Sequence, residues 1–393
     1  VLFFICAAYL SRKKIMEPSE RTIAWCALNR IFGYHPRLAA GLVEEAGGPL
    51  ELFSGSPPEL PSHPELTAQL TPDALEWARK ELQEIREAGF LFLDRENEAY
   101  PALLLECDAP PLGLYVNGST PPGALFGFRP AVAIVGTRDV SPYGKAWCIR
   151  LVKALSDAAV RPVIVSGLAF GTDGIAHKCA LEAGLPTIGV MATGIEQVYP
   201  WQHTELAAEI VRTPECALVT DYPRGTAPVA LNFLRRNRII AGLSLAVIVV
   251  ESKTKGGSLM TARYACEYNR DVFALPGRAD DIRSAGCNSL IRNQMAEIIT
   301  TPEDLVTRLG LGLGRRRKKE GLDVLLVRRY GAESPLRALA LKVQELGGAA
   351  FAELSAELGW TYSQVAQQAG ILESDGIVET DLLQRCSIAK NFM

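Results

Sequence analysis

Between residues 131 and 274, short apolar runs rich in β-branched residues alternate with longer stretches of helical spacing. The runs 131–135, 162–165, 187–190, 217–220, 245–250 and 271–274 predict strands. Residues 144–158 and 174–183 predict helices between them. Strands that alternate with helices and read as continuous apolar runs predict a mostly parallel sheet buried on both faces. The fold class is therefore α/β, with a Rossmann-like doubly wound domain over 96–310.

The flanks follow other patterns. Residues 20–31, 36–45 and 72–88 carry apolar positions at helical spacing, separated by Pro- and Gly-rich segments at 47–49 and 55–58. They predict a small helical domain over 16–95, whose turns at Gly33 and Gly47 resemble SAM or helix-hairpin-helix modules. Residues 311–334 predict a linker whose basic run at 315–319 reads as a solvated tether, with a supplementary nucleic-acid contact as the alternative. Helices at 336–346, 351–358 and 361–374, then a strand at 376–380, predict a winged-helix domain over 335–393. Its third helix is poor in Lys and Arg, which favours protein docking or dimer formation over base readout.

Composition narrows the picture. At 48% hydrophobic residues the chain suits a soluble globular protein. A net charge of −3 means that any contact with nucleic acid uses a local patch, not a global field. The nine cysteines are widely spaced and odd in number, which suits reduced thiols in a cytoplasm. The four histidines form no metal-ligand spacing, so neither a metal nor a cofactor is expected. Apolar residues 1–10 followed by Arg12, Lys13 and Lys14 are too short to span a bilayer and have the wrong charge order for a signal peptide. Met16 reads as the natural start, with residues 1–15 as upstream translation and a short membrane-surface anchor as the alternative.

Candidate chemistry lies after the predicted strands, where doubly wound sheets bind ligands. Gly136, Thr137 and Arg138 follow the first of these strands. There a glycine permits close approach, a hydroxyl donates, and a guanidinium forks onto a phosphate. The alternative is a plain turn with Arg138 paired to a carboxylate. Ser166 and Gly167 open a second glycine-rich turn as candidate ligand contacts, whereas Asp173 and His177 suit capping and core roles. Phe233 beside Arg236, Asn237 and Arg238 suits a base-stacking platform, or else a core ring with internal ion pairs. Lys255, Gly256, Gly257 and Ser258 precede a helix and offer N–H groups and a cation to an anion, or simple capping. Glu251 is the carboxylate most open to a catalytic role, but no triad spacing accompanies it.

These segments, in order, resemble the DprA/Smf family, the DNA-processing proteins of bacterial transformation. The resemblance rests on Tyr100-Pro101, Pro110-Pro111, Gly136 to Arg138, Ser166 to Gly171, Phe233 to Ser244, Gly257 to Ala262, Pro276-Gly277 and Gly286 to Asn288. Leu234 stands where the family usually has proline, and Thr137 where it usually has serine. The resemblance implies a non-enzymatic protein that binds single-stranded DNA and loads the RecA recombinase onto it in natural transformation, competence and homologous recombination. It further implies displacement or bypass of single-strand binding protein, and a homodimer formed through the Rossmann-like domain. A nucleotide-processing hydrolase using Glu251 as acid, or a transcriptional regulator acting through the winged helix, is the alternative.

Overall fold

The computed structural model describes residues 17–54, 60, 62–127, 129–313, 322–381 and 384–389. The expectations for residues 1–16, 55–58 and 315–319 lie outside them. The chain divides into two units at 313/314.

The first unit is built on one nine-stranded sheet. Its strands are β1 (Leu91–Asp94), β2 (Gly113–Gly118), β3 (Ala131–Val135), β4 (Val163–Ser166), β5 (Thr187–Val190), β6 (Ala217–Thr220), β7 (Ala246–Val249), β8 (Asp271–Ala274) and β9 (Glu297–Ile298). Their spatial order is β1-β2-β6-β5-β4-β3-β7-β8-β9. All neighbours from β6 to β9 in that order pair in parallel, and β1 and β2 add an antiparallel edge. Alternate residues of β3 feed opposite faces, as a pleated strand requires. Ala133 and Val135 pack with Ile239, Ile240 and Ala262 on one face. Val132 and Ile134 pack with Leu151, Leu155 and Ala176 on the other. Helices therefore cover both faces, as a doubly wound sheet demands.

From β3 the chain runs outward through β4, β5 and β6, then crosses to β7 on the other side of β3. The strand order reverses between β3 and β7, and that switch point positions the site.

The helices Glu20–Phe32, Pro36–Ala46 and Pro72–Glu87 form a layer whose core takes in Tyr115 and Leu112 beside β2. The expected boundary at 95/96 shifts, because β1 belongs to the sheet by pairing Leu91 with Val116. Neither β1 nor β2 was expected, since an antiparallel pair with 18 residues between its strands leaves no local turn signal. The expected linker at 311–334 is corrected at both ends. Leu311 is buried, and it and Gly312 accept hydrogen bonds from Val160 and Ala159. Leu322–Tyr330 is a helix whose Leu322 and Leu326 enter the second unit's core.

In the second unit the helices Pro335–Glu345, Phe351–Leu358 and Tyr362–Ser374 accompany β10 (Ala349–Ala350), β11 (Val378–Thr380) and β12 (Arg385–Ile388). The sheet order is β10-β12-β11; the three helices and the closing hairpin come in the expected sequence, and β10, between the first two helices, was not expected. Among the described residues no helix is long and apolar enough to cross a membrane, and no group of three or more His, Cys, Asp or Glu could hold a metal ion.

Candidate nucleic-acid interface

At the carboxyl ends of β3 and β7 the two outgoing loops enclose a cavity of ≈ 570 Å³. Residues 135–139 form one wall, and 252–258 another. Phe233, Leu234, Arg236, Asn237 and Ile240 of the helix Ala230–Gly242 form a third. Ala169, Asp173, Thr261 and Ile282 complete it.

The loop after β3 is held open by its neighbours. Thr137 N–H donates to the Glu251 carbonyl at 2.8 Å, and the Thr137 hydroxyl accepts from Asp139 N–H at 3.2 Å. A Cβ on Gly136 would stand 2.4 Å from Thr172 Oγ1, so glycine is needed there for packing against the helix Thr172–Glu182. Arg138 is exposed, and its guanidinium lies 5.4 Å from the centroid of Phe233. The Phe233 ring is half-buried and also meets Tyr199, centroid to centroid, at 5.2 Å.

The loop after β7 presents Lys253 and Lys255, both exposed. With Arg138 they form no ion pair among the described residues. The helix Gly257–Glu267 begins at the cavity without a side-chain cap. Its first N–H groups and its dipole favour an anion. The Ser258 hydroxyl donates to Ser252 Oγ at 2.9 Å, so Ser258 offers its backbone rather than its side chain.

Several expected contact residues hold the scaffold instead. Ser166 is fully buried, and its hydroxyl donates to the Ile134 carbonyl at 2.6 Å, tying β4 to β3. Arg236 is 4% exposed; its Nη1 donates to the Gly167 carbonyl at 2.5 Å and also to the Val190 carbonyl. A Cβ on Gly167 would collide with that guanidinium at 2.5–2.6 Å, so Gly167 makes room for Arg236, not for a ligand. Arg238 lies away from the cavity, in a buried ion pair with Asp221 at 2.6 Å and a bond to the Ala109 carbonyl at 2.5 Å. Asn237 Nδ2 donates to the Gly257 carbonyl at 3.2 Å and fixes the uncapped helix end against Phe233's helix. Of the platform first expected, Phe233 keeps a surface position, with Arg138 as its cation in place of Arg236 or Arg238.

Glu251 does not line the cavity. It is 1% exposed and accepts from Ser141 N–H at 2.9 Å and Ser141 Oγ at 2.6 Å, at the start of the helix Pro142–Ser156. Gly144 is glycine because a Cβ there would meet that carboxylate at 2.4 Å. The acid that a hydrolase would need is thus spent on helix capping. Sequence reasoning missed Lys253 and Tyr199. Lys253 sits two residues before Lys255 in the same loop, whereas Tyr199 reaches Phe233 only through the fold.

Residues 91–310 match the family model described as DNA recombination-mediator protein A. Protein Smf of Synechocystis is 41% identical over 229 residues, 58% of this chain and only 56% of that protein's length. The structure of DNA processing protein A from Streptococcus pneumoniae is similar at a TM-score of 0.59 and 28% identity, covering 74% of this chain and 98% of that one. The Helicobacter pylori protein, with its own single-stranded DNA binding mode, is similar at a TM-score of 0.50 and 30% identity over 56% of this chain and 95% of that one. The family model spans more than half of the chain and its whole β1–β9 sheet, and the chain belongs to the DNA recombination-mediator protein A family.

Proposed function

We propose that the protein binds single-stranded DNA along the β3–β7 edge and delivers it to the RecA recombinase, as a homodimer and without turning over a nucleotide. The observation that carries this reading is the convergence, at one switch point, of an uncapped helix N-terminus, three cations with no ion pair among the described residues and a half-exposed ring. Phosphates would lie across Arg138, Lys253, Lys255 and the Gly257 and Ser258 N–H groups. Phe233, with Arg138 over it, would stack a base, worth about 1–3 kcal/mol. A ring and a backbone cradle read no base edge, so the binding is sequence-tolerant. Delivery to RecA, passage past single-strand binding protein and a role in transformation belong to the same proposal, and family membership supports them. The described cations and the uncapped helix are compatible with them.

The test is fluorescence anisotropy of labelled single-stranded and duplex DNA of equal length across a salt series. The expected result is a strong, salt-sensitive preference for the single strand. Arg138→Ala and Lys255→Ala should each weaken binding to all sequences alike and flatten the log–log salt slope by about 0.7 per lost phosphate contact. Unchanged affinity and slope in both variants, or a preference for duplex, would sink the reading. A RecA-loading assay on strands coated with single-strand binding protein then tests delivery.

A further inference from the structure

Exposed rings continue beyond the β3–β7 recess along the same edge of the sheet. The strand order there is β7-β3-β4-β5. Phe233 stands beside the loop after β3, where Arg138 meets it. Phe170, 41% exposed, lies in the loop after β4. Tyr199 and Trp201, 43% and 74% exposed, lie in the loop after β5. Single exposed apolar side chains are ordinary, whereas a run of neighbouring ones marks a contact surface.

The rings are linked to one another and to the recess. Tyr199 meets Phe233, and Phe170 meets His203, each at 5.2 Å between ring centroids. Trp201 is two residues from Tyr199 and two from His203, on the 3₁₀ turn Trp201–His203. The floor beneath is tied together. Thr172 N–H donates to the Thr137 carbonyl at 3.2 Å, which joins the loops after β4 and β3. His203 Nδ1 lies 2.8 Å from the Leu168 carbonyl, which joins the loops after β5 and β4. A Cβ on Gly174 would stand 2.7 Å from the His203 ring, so the glycine makes a seat for it. The turn is thus anchored while its indole stays in solvent.

The chemistry of the turn selects what the indole can take. Residues 195–206 contain no Lys or Arg, and their two carboxylates, Glu196 and Glu205, disfavour a phosphate. What remains is an aromatic face, which stacks any base. Neighbouring strands stand about 4.8 Å apart, so the edge from β3 to β5 spans about 10 Å. A strand seated at β3 covers that distance with its next few nucleotides.

We propose that Trp201 is a second stacking platform for single-stranded DNA, so that the strand runs from the β3–β7 recess across the ends of β4 and β5. The inference rests on the strand-binding reading and extends it to a residue and a direction outside the recess.

The experiment is anisotropy of the full chain with labelled oligothymidylates of about 4 to 16 nucleotides, the usual span of single-strand sites, for the native chain, Trp201→Ala and Trp201→Phe. Trp201→Ala should weaken the longer oligonucleotides by about tenfold, the loss of one stacked base, and leave the shortest unaffected. Its log–log salt slope should equal that of the native chain, because no phosphate contact is lost. Trp201→Phe keeps a ring and should stay within about threefold. A side chain so exposed carries little of the fold, so the unfolding midpoint should not move. A second readout needs no variant. All five tryptophans are described, and Trp201 is the exposed one. A long oligothymidylate should shield its emission from quenching by acrylamide, and the shortest should not. Equal affinity of Trp201→Ala and the native chain at every length, with Arg138→Ala still weakened, overturns this inference and leaves the strand-binding reading standing. A flatter salt slope in Trp201→Ala overturns it too, since the contact is then to phosphate. Strand binding that leaves the tryptophan emission unshielded does the same. Absence of strand binding by the native chain removes both readings.

Discussion

The Arg236 guanidinium reaches the carbonyls of Gly167 and Val190, which end or follow the neighbouring strands β4 and β5. One side chain from the helix Ala230–Gly242 thus holds the carboxyl ends of two strands at the floor of the site. Burial lowers its pKa to about 10, opposed by the nearby Asp173 carboxylate, so it stays protonated at neutral pH. Gly167 is part of the same device, since its missing Cβ is the space the guanidinium fills. Gly167→Ala should therefore cost about 1–3 kcal/mol as an overpacked site. Gly257→Ala, with open space around its Cβ, is the matched control and should leave the urea midpoint almost unchanged. Equal midpoints for both variants would show that the guanidinium yields freely and that Gly167 has no packing role.

At the scale of elements, the helix Ala230–Gly242 is braced from the helical layer. Tyr34 Oη donates to Asn232 Oδ1 at 2.6 Å, Arg235 stacks 4.2 Å from the Tyr34 ring centroid, and Arg235 donates to the Gly33 carbonyl at 3.2 Å. Phe233 and Asn237 ride on that helix, so the layer sets where the ring and the neighbouring helix end stand. Tyr34→Phe leaves the buried Asn232 acceptor without its donor and should cost about 1–3 kcal/mol. Chemical denaturation reads the loss, and a midpoint equal to that of the native chain would mean that the brace is idle. This is also where the limits of sequence reading show. The apolar runs that became β3 to β8 were legible because buried parallel strands need no distant partner to be recognised. The cavity's walls after β3 and β7 were legible because strand-to-helix turns at a switch point are where ligands bind. The partners of Arg236 and Arg238 were not, because Val190 lies 46 residues away and Ala109 lies 129 residues away in the chain. A cation-rich motif looks alike whether its guanidiniums face solvent or a carbonyl. Ser166 and Gly167 misled for a related reason: their turn sits at the right edge, but its side-chain space points into the sheet.

At the scale of the whole molecule, the two units differ less in net charge, with 30 Lys and Arg against 34 Asp and Glu over 1–313 and 11 against 10 over 314–393, than in where their cations lie. The described part of the second unit carries Arg328, Arg329, Arg337, Lys342 and Arg385 against nine Asp and Glu. Its helix Tyr362–Ser374 contains no Lys or Arg. A helix without cations forfeits the phosphate contacts that dominate nucleic-acid affinity. The first unit has the opposite arrangement at its switch point, where Arg138, Lys253 and Lys255 gather within a chain of net charge −3. A local cationic patch beside N–H donors is enough for steering and for phosphate contact, whatever the overall charge. The two units also keep separate hydrophobic cores. Strand affinity should therefore not depend on the helices and sheet of the second unit. A chain shortened to end at Gly321, which keeps the basic run 315–319, should fold, bind single-stranded DNA within about twofold of the full chain and keep its salt slope, since no cation of the β3–β7 edge or of that run is lost. Anisotropy of the two chains side by side decides. A loss of tenfold or more, about 1.4 kcal/mol, with a flatter slope would place phosphate contacts in the second unit and overturn the assignment of binding to the β3–β7 edge alone.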